Sequence, residues 1–434
     1  MDALHRLGWT ADTAAAFAEH AAAGLRPARV AAQHRGGYVL LTAAEPAAAP
    51  ADDPATETVE PVEPAEPATE PVEPVEPAIE PAEPAAETAE PAVEPATETA
   101  EPTVEPAVEP APAGLVERRA DLSGKLRRAA ASDSTAAPAV GDWVAIRSGA
   151  AGCGTIHAVL PRTTRLSRRA AGRTTSEQLV AANVDTVLVV VPLDRPIAAR
   201  RLERLLTIAR GSGADAAVVL TKADLCPDPA AAAAELAPMC ARAGAEIAVH
   251  TISSVTGEGL AGLDRYTATP RTLALIGASG VGKSTLINRW LGHERQAVAG
   301  LTSEGKGRHT TTHRELLVLP QGGLVIDTPG MRELGLWRAD EGLHEVFADV
   351  AELAETCRFR DCGHAEEPGC AVQAAVAAGA LPPERAASFI KLQREQAHVE
   401  RAQDDLARAR ARQADKRASR ALRRVYRERD RGEG

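Results

Sequence analysis

The stretch TLALIGASGVGKSTLINRW, residues 272–290, decides the fold. The apolar run 273–276 has the length of a buried strand, a glycine-rich turn follows, and the residues from Lys283 onward recur at helical spacing. A strand, a GxxxxGK[ST] turn and a helix in that order make a phosphate loop. Gly277, Gly280 and Gly282 let the backbone curl so that the amides of Ala278, Ser279, Val281, Ser284 and Thr285 point inward at phosphate oxygens, with the helix dipole adding to the field. Lys283 then reaches the β and γ phosphates, and the Ser284 hydroxyl ligates magnesium.

Which base the loop serves is decided elsewhere, because nothing downstream of Ser284 fits the guanine-reading pattern [NT]KxD. Upstream, the apolar run 216–220 leads directly into TKAD, Thr221, Lys222, Ala223 and Asp224. A carboxylate at Asp224 accepts from the N1 and exocyclic amino hydrogens of guanine, a donor pair that adenine does not present. Lys222 is suited to lie along the base. Thr221 stands where Asn is commoner, so the sequence predicts a weaker polar tether there. Four letters are a weak signal, and a lysine at a helix start reads equally well.

Three further elements give the motif its weight. Ser253 and Ser254 follow a short predicted strand at 246–250, suited to offering backbone amides to the guanine carbonyl. GKGRHTTTHREL, residues 305–316, is a polar, glycine-bearing loop of the kind that orders around a γ phosphate, with Thr311 or Thr312 as the second magnesium hydroxyl. GLVIDTPGM ends a strand at Asp327 and places Gly330 where an amide meets the γ phosphate.

The order along the chain is therefore base reader, base loop, phosphate loop, first switch, second switch, which is a circular permutation of the common layout. In this the chain resembles the bacterial circularly permuted GTPases that depend on the small ribosomal subunit, over nearly its whole length apart from one insertion. The resemblance implies GTP and GDP as ligands, Mg2+ as cofactor, late maturation of the small (30S) subunit as the function, rRNA-stimulated hydrolysis, and 16S rRNA as partner. It also implies a multidomain fold: an all-β OB-type barrel, then an α/β P-loop GTPase domain with a mostly parallel sheet, then an α-helical zinc-binding domain. Where many GTPases carry a water-orienting glutamine the chain has Met331, and the family pattern offers His309 in the first switch instead. Two roles suit His309, catalysis or contact with RNA. A permuted switch acting on a protein partner without RNA, and an ATPase with an accidental TKAD, are the competing readings.

The residues support the domain plan independently. A helical extension (1–23) precedes short strands at small-barrel spacing across 24–175, including the hairpin through Gly36 and Gly37. Between 176 and 345 strands alternate with helices, the pattern of a parallel sheet with helices on both faces. Within 346–434, Cys357, Cys362, His364 and Cys370 (CxxxxCxHxxxxxC) supply three thiolates and an imidazole, a closed tetrahedral set for one structural Zn2+. Cys153, Cys226 and Cys240 are isolated and read as packing residues.

Charge also separates the segments. Between 45 and 112 run seventeen Glu and two Asp with no Lys or Arg, and without those nineteen acids a formal charge of -11 becomes +8. That insertion (44–113) lacks the apolar surface to offset chain entropy, so it reads as a disordered spacer. An acidic arm competing with RNA is the sharper alternative. The remainder is basic: on the barrel that the resemblance implies, Arg118, Arg119, Lys125, Arg127, Arg128, Arg162, Arg165, Arg168 and Arg169 are expected at phosphates, and the segment 416–432 reads as an RNA-contacting tail, with ordinary solvated surface as the alternative for both. No apolar run approaches a membrane span, and Asp2, Asp12 and Glu19 do not suit a signal peptide, so the expectation is a cytoplasmic monomer.

Overall fold

A computed structural model describes residues 2–34, 36–44, 114–149, 153–169, 177–243, 247–268, 270–293, 314–328, 337, 339–404, 408 and 412. The expected acidic insertion from 45 to 113, the residues His309, Thr311, Thr312 and Gly330, and the basic segment 416–432 lie outside them.

Helices α1 (Asp2–Arg6) and α2 (Ala11–Ala22) open the chain, the second started by the Thr10 hydroxyl accepting from the Thr13 amide. The barrel follows: β1 (Arg26–His34), β2 (Gly37–Ala43), β3 (Leu115–Leu122), α3 (Gly124–Ser132), β4 (Trp143–Ser148) and β5 (Cys153–Val159). The strands pair in the order β1-β2-β3-β5-β4 and close by pairing β4 with β1. Four junctions are antiparallel and β3–β5 is parallel. Five strands so connected, with a helix between the third and fourth, form an OB-type barrel. Alternation sends Ala28, Val30, Leu40, Val144 and Ile156 inward, whereas Ala31, Trp143 and Ala145 join the large core shared with the next domain.

A two-stranded ribbon, β6 (Arg165–Arg169) with β7 (Glu177–Ala182), leads out of the barrel. The α/β domain then runs β8 (Thr186–Pro192), α4 (Ala199–Arg210), β9 (Asp215–Thr221), α5 (Pro229–Arg242), β10 (Ala248–Thr251), α6 (Asp264–Thr267), β11 (Thr272–Ile276), α7 (Lys283–Leu291), β12 (Glu315–Val318) and β13 (Leu324–Asp327). Its sheet has the order β10-β9-β8-β11-β13-β12, parallel except at β12. Strands covered on both faces need apolar residues at every position, and β11 is buried throughout. Val187, Val189 and Ile276 face the layer containing α4, while Leu188, Val190 and Leu275 face the layer containing Leu286 and Ile287 of α7. From β8 the chain winds outward through β9 and β10, then returns to β8's other side at β11. The reversal puts the binding crevice at the carboxyl ends of β8 and β11.

Helices α8 (Asp340–Val346), α9 (Ala348–Glu355), α10 (Ala371–Ala377) and α11 (383–404) complete the described chain. None of the described helices is long and apolar enough to cross a membrane.

Two sequence expectations need correction. Arg162 is not available to phosphate: its guanidinium donates at 2.8 and 2.7 Å to the Asp142 carboxylate and also to the Thr135 and Ala137 carbonyls, leaving the side chain 7% exposed. Asp142, fully buried, is the charge that captures it. Cys153 is exposed, so it is not a packing residue, whereas Cys240 is buried and Cys226 is packed against the core.

Candidate functional site

Gly277, the first residue after β11, has a φ of 155°, and a Cβ there would sit 2.5 Å from the Val190 carbonyl oxygen. The loop can therefore fold this tightly against β8 only with glycine. Gly280 and Gly282 adopt φ of 74° and 99°, and Gly282 caps the start of α7. Lys283, first in that helix, turns its ammonium back over the loop and donates to the carbonyls of Gly277 (3.0 Å) and Ala278 (2.8 Å). Burial lowers its pKa to about 8, with the negative charge of Asp327 opposing. Asp327 is buried at the end of the neighbouring β13, and the next residue, Thr328, donates to the Leu275 carbonyl at 2.7 Å, joining the two strand ends. Ser279, Ser284 and Thr285 are half-buried around the same turn.

The TKAD turn lies against this loop. Thr221 closes β9, and its hydroxyl donates at 2.6 Å to the carbonyl of Val281, inside the phosphate loop. The tether expected to be weak is a short, buried hydrogen bond. Lys222 takes a left-handed backbone (φ 60°), which lifts its side chain out of the strand to pair with Asp194 at 2.6 Å. Ala223 is buried and its amide donates to the Ile252 carbonyl, aligning this turn with the end of β10. Asp224 is exposed, and one of its carboxylate oxygens accepts from the Ser253 hydroxyl at 2.5 Å.

Ser253 departs from the expected role. Its amide donates to the Glu258 carbonyl and its hydroxyl accepts from the amides of Val255 and Thr256, so it braces the base loop and orients Asp224. The Ser254 hydroxyl is buried with no hydrogen-bond partner among the described residues.

Sequence reasoning missed Asp194. It lies just past β8, where Arg195 above all, and Lys222, hold its carboxyl below the usual range against partial burial. Its position beyond a strand's carboxyl end, beside the point where the strand order reverses, was the available signal.

The four residues of the cysteine–histidine motif also converge. Their ligand atoms lie within 4.8 Å of one another. The Cys357 and Cys370 sulfurs are 3.9 Å apart, and each is 3.6 Å from His364 Nδ1. Tetrahedral Zn2+ with bonds of about 2.3 Å to sulfur and about 2.0 Å to nitrogen requires roughly 3.8 and 3.5 Å for those separations. Burial holds the His364 pKa down, against the Glu367 charge, which favours the neutral, ligating imidazole. Amides of Ala371 and Gln373 point at the Cys357 and Cys370 sulfurs, as thiolate ligands require. The donor set and spacing fit zinc.

Comparison with known proteins identifies the family. Residues 159–337 match the family model described as RsgA GTPase. A protein of Opitutus terrae, named small ribosomal subunit biogenesis GTPase RsgA, is 52% identical over 305 residues, covering 68% of this chain and 82% of that one. Lactiplantibacillus plantarum has a relative named small ribosomal subunit biogenesis GTPase RsgA 2, 48% identical over 285 residues, covering 65% of this chain and 78% of that one. Among solved structures, YjeQ from Thermotoga maritima aligns with a TM-score of 0.46 at 28% identity, covering 64% of this chain and 89% of that one. With half the aligned residues identical across four-fifths of a relative, the chain belongs to the RsgA GTPase family.

Proposed function

We propose that this protein binds GTP between the TKAD turn and the phosphate loop, hydrolyses it, and thereby serves the maturation of the small ribosomal subunit. One observation carries the nucleotide reading. The Thr221 hydroxyl is bonded to the Val281 carbonyl at 2.6 Å, which supports a reading in which the carboxylate three residues on and the ammonium two residues on line one crevice. A single guanosine triphosphate has the chemistry for both ends. Asp224 accepts from the guanine edge, Lys222 lies by the base, Ser253 and Ser254 form the base loop, and residues 277–285 hold the phosphates. The Ser284 hydroxyl, Asp327 and one of Thr311 or Thr312 are the residues that would hold Mg2+, which would supply neutralisation of phosphate charge. Gly330 and His309 belong to the switches, with His309 orienting the attacking water because Met331 has no group for that task.

The ribosomal role rests on what the relatives are named, and the basic surface agrees with 16S rRNA as the partner. Zn2+ at the Cys357, Cys362, His364 and Cys370 cluster stabilises the helical region. A monomer working in the cytoplasm, where the small subunit is assembled, fits this reading.

The test is GTP turnover by the purified protein with and without isolated small subunits, with ATP as the comparison nucleotide. A several-fold or greater stimulation is expected, with Asp224→Asn losing preference for GTP and His309→Ala losing the stimulated rate while still binding nucleotide. Unstimulated turnover at low and high salt alike overturns the ribosomal role, and equal affinity for ATP overturns the guanine site.

A further inference from the structure

Of the four phenylalanines, Phe17, Phe347 and Phe389 are at most 6% exposed, while Phe359 is 42% exposed. Phe359 lies among the four residues between the Cys357 and Cys362 ligand positions, in the run CRFRDC, with Arg358 and Arg360 on either side. A ring left this exposed keeps apolar area open to a flat partner, whose burial against it would stabilise the contact.

The loop's backbone displays the ring on a fixed platform. Its amides and carbonyls bond locally, Cys362 N–H to the Phe359 carbonyl at 3.3 Å and Arg358 N–H to the Gly369 carbonyl at 3.2 Å. Gly369 gives Arg358 room: a Cβ there would be 3.0 Å from the Arg358 Cβ. The Arg358 guanidinium then lies 5.5 Å over the Phe359 ring centroid. A planar cation and an aromatic ring are thus presented together by a knuckle fixed at both ends.

We infer that Phe359 is a stacking platform for an unpaired RNA base, with Arg358 and Arg360 meeting the flanking phosphates. Unpaired bases in RNA are recognised on aromatic faces and guanidinium planes, which are the two groups displayed here. Asp361, Glu366 and Glu367 lie in the same loop and outnumber its two arginines, so net charge does not make this a phosphate surface, and the ring is left as the main source of affinity. Continuity supports RNA over protein. His364 packs at 6.2 Å on Phe389 of α11, the helix that leads in sequence toward the arginine-rich 408–431 segment. The inference rests on the ribosomal reading above and names the chemistry of one contact within it.

The experiment uses the full chain loaded with zinc and two fluorescent probes, a single-stranded oligoadenylate and the same backbone without bases. The wild type is expected to prefer the base-bearing probe by about tenfold, the size of one stacking contact. Phe359→Ala and Phe359→Leu both lose that preference, and Phe359→Trp keeps it. The salt dependence of binding is unchanged in the Phe359 variants and becomes shallower in Arg358→Ala and Arg360→Ala. Zinc content and turnover without subunits stay at wild-type values throughout. A leucine variant that keeps the preference, or a wild type that shows none, overturns the stacking role. Weakened binding to small subunits with no change on the probes reassigns Phe359 to a protein contact. Failure of the wild type to bind subunits at all removes the ribosomal reading itself.

Discussion

Lys283 shows how one side chain records the absence and arrival of a charge. Among the described residues its ammonium donates to two carbonyls, and burial lowers its pKa to about 8, while an unfolded lysine titrates near 10.4. The folded chain therefore binds fewer protons than the unfolded chain between those values, so free-protein stability rises with pH across that window. A triphosphate reverses the effect by giving the ammonium an anionic partner, which raises the pKa again. Nucleotide binding at pH 8.5 is accordingly expected to take up a proton, approaching about one per nucleotide near pH 9, with affinity flat below pH 7 and falling as pH rises above about 8. Calorimetry in two buffers of different ionisation enthalpy measures the uptake. A value of zero, or one that persists in Lys283→Met, contradicts the assignment. Histidine and cysteine residues elsewhere do not mimic this, because the control removes only Lys283.

At the scale of elements, the close crossing of α8 on α4 depends on one missing side chain. A Cβ on Gly342 would lie 2.2 Å from the Thr207 carbonyl oxygen and 2.4 Å from the Gly211 nitrogen, both backbone atoms that no rotamer can move. Gly342→Ala must push the helices apart and is expected to cost about 2–3 kcal/mol, read from urea denaturation. A loss below about 0.5 kcal/mol would mean that the helices slide without penalty. Gly342 gave no signal in the sequence, since the need for it comes from a residue more than a hundred positions away. The phosphate loop was legible for the opposite reason: strand, turn and helix are contiguous, so local pattern suffices. The same holds for the cysteine–histidine loop and for apolar runs such as 216–220, which becomes the interior of β9. Pairings across the chain were not legible. Nothing local in the residues signals that Arg162 is absorbed by Asp142, that Ser253 braces Asp224, or that Ala32 of β1 meets Glu315 of β12.

For the whole molecule, two buried arginines hold the neighbouring regions to the nucleotide-binding sheet. Arg29 of β1 is 1% exposed and donates to the Gly141 and Asn183 carbonyls and to the hydroxyl of Thr272, the first residue of β11. It also donates to the Leu7 carbonyl, and burial holds its pKa down to about 10. The barrel is thereby fixed to the strand that ends in the phosphate loop. On the other side, Arg385 of α11 donates to Glu203 of α4 at 3.0 Å, to both Asp349 oxygens at 2.7 and 2.6 Å, and to the Val346 carbonyl, with its guanidinium 4.7 Å over the Phe347 ring. Glu203 is only 4% exposed, so it has no recourse to water if the cation is lost. Arg385→Leu is therefore expected to cost about 3 kcal/mol, the lower part of the range for breaking a buried pair, because Asp349 remains partly solvated. Most of that cost is the stranded Glu203 carboxylate. Adding Glu203→Gln to the leucine variant should then recover about 1–2 kcal/mol, although the same change alone destabilises the wild type. Urea denaturation of the four proteins gives the coupling directly. Additive losses would show that Arg385 acts through its packing on Phe347, with the helical region held to the sheet by apolar contact instead of charge.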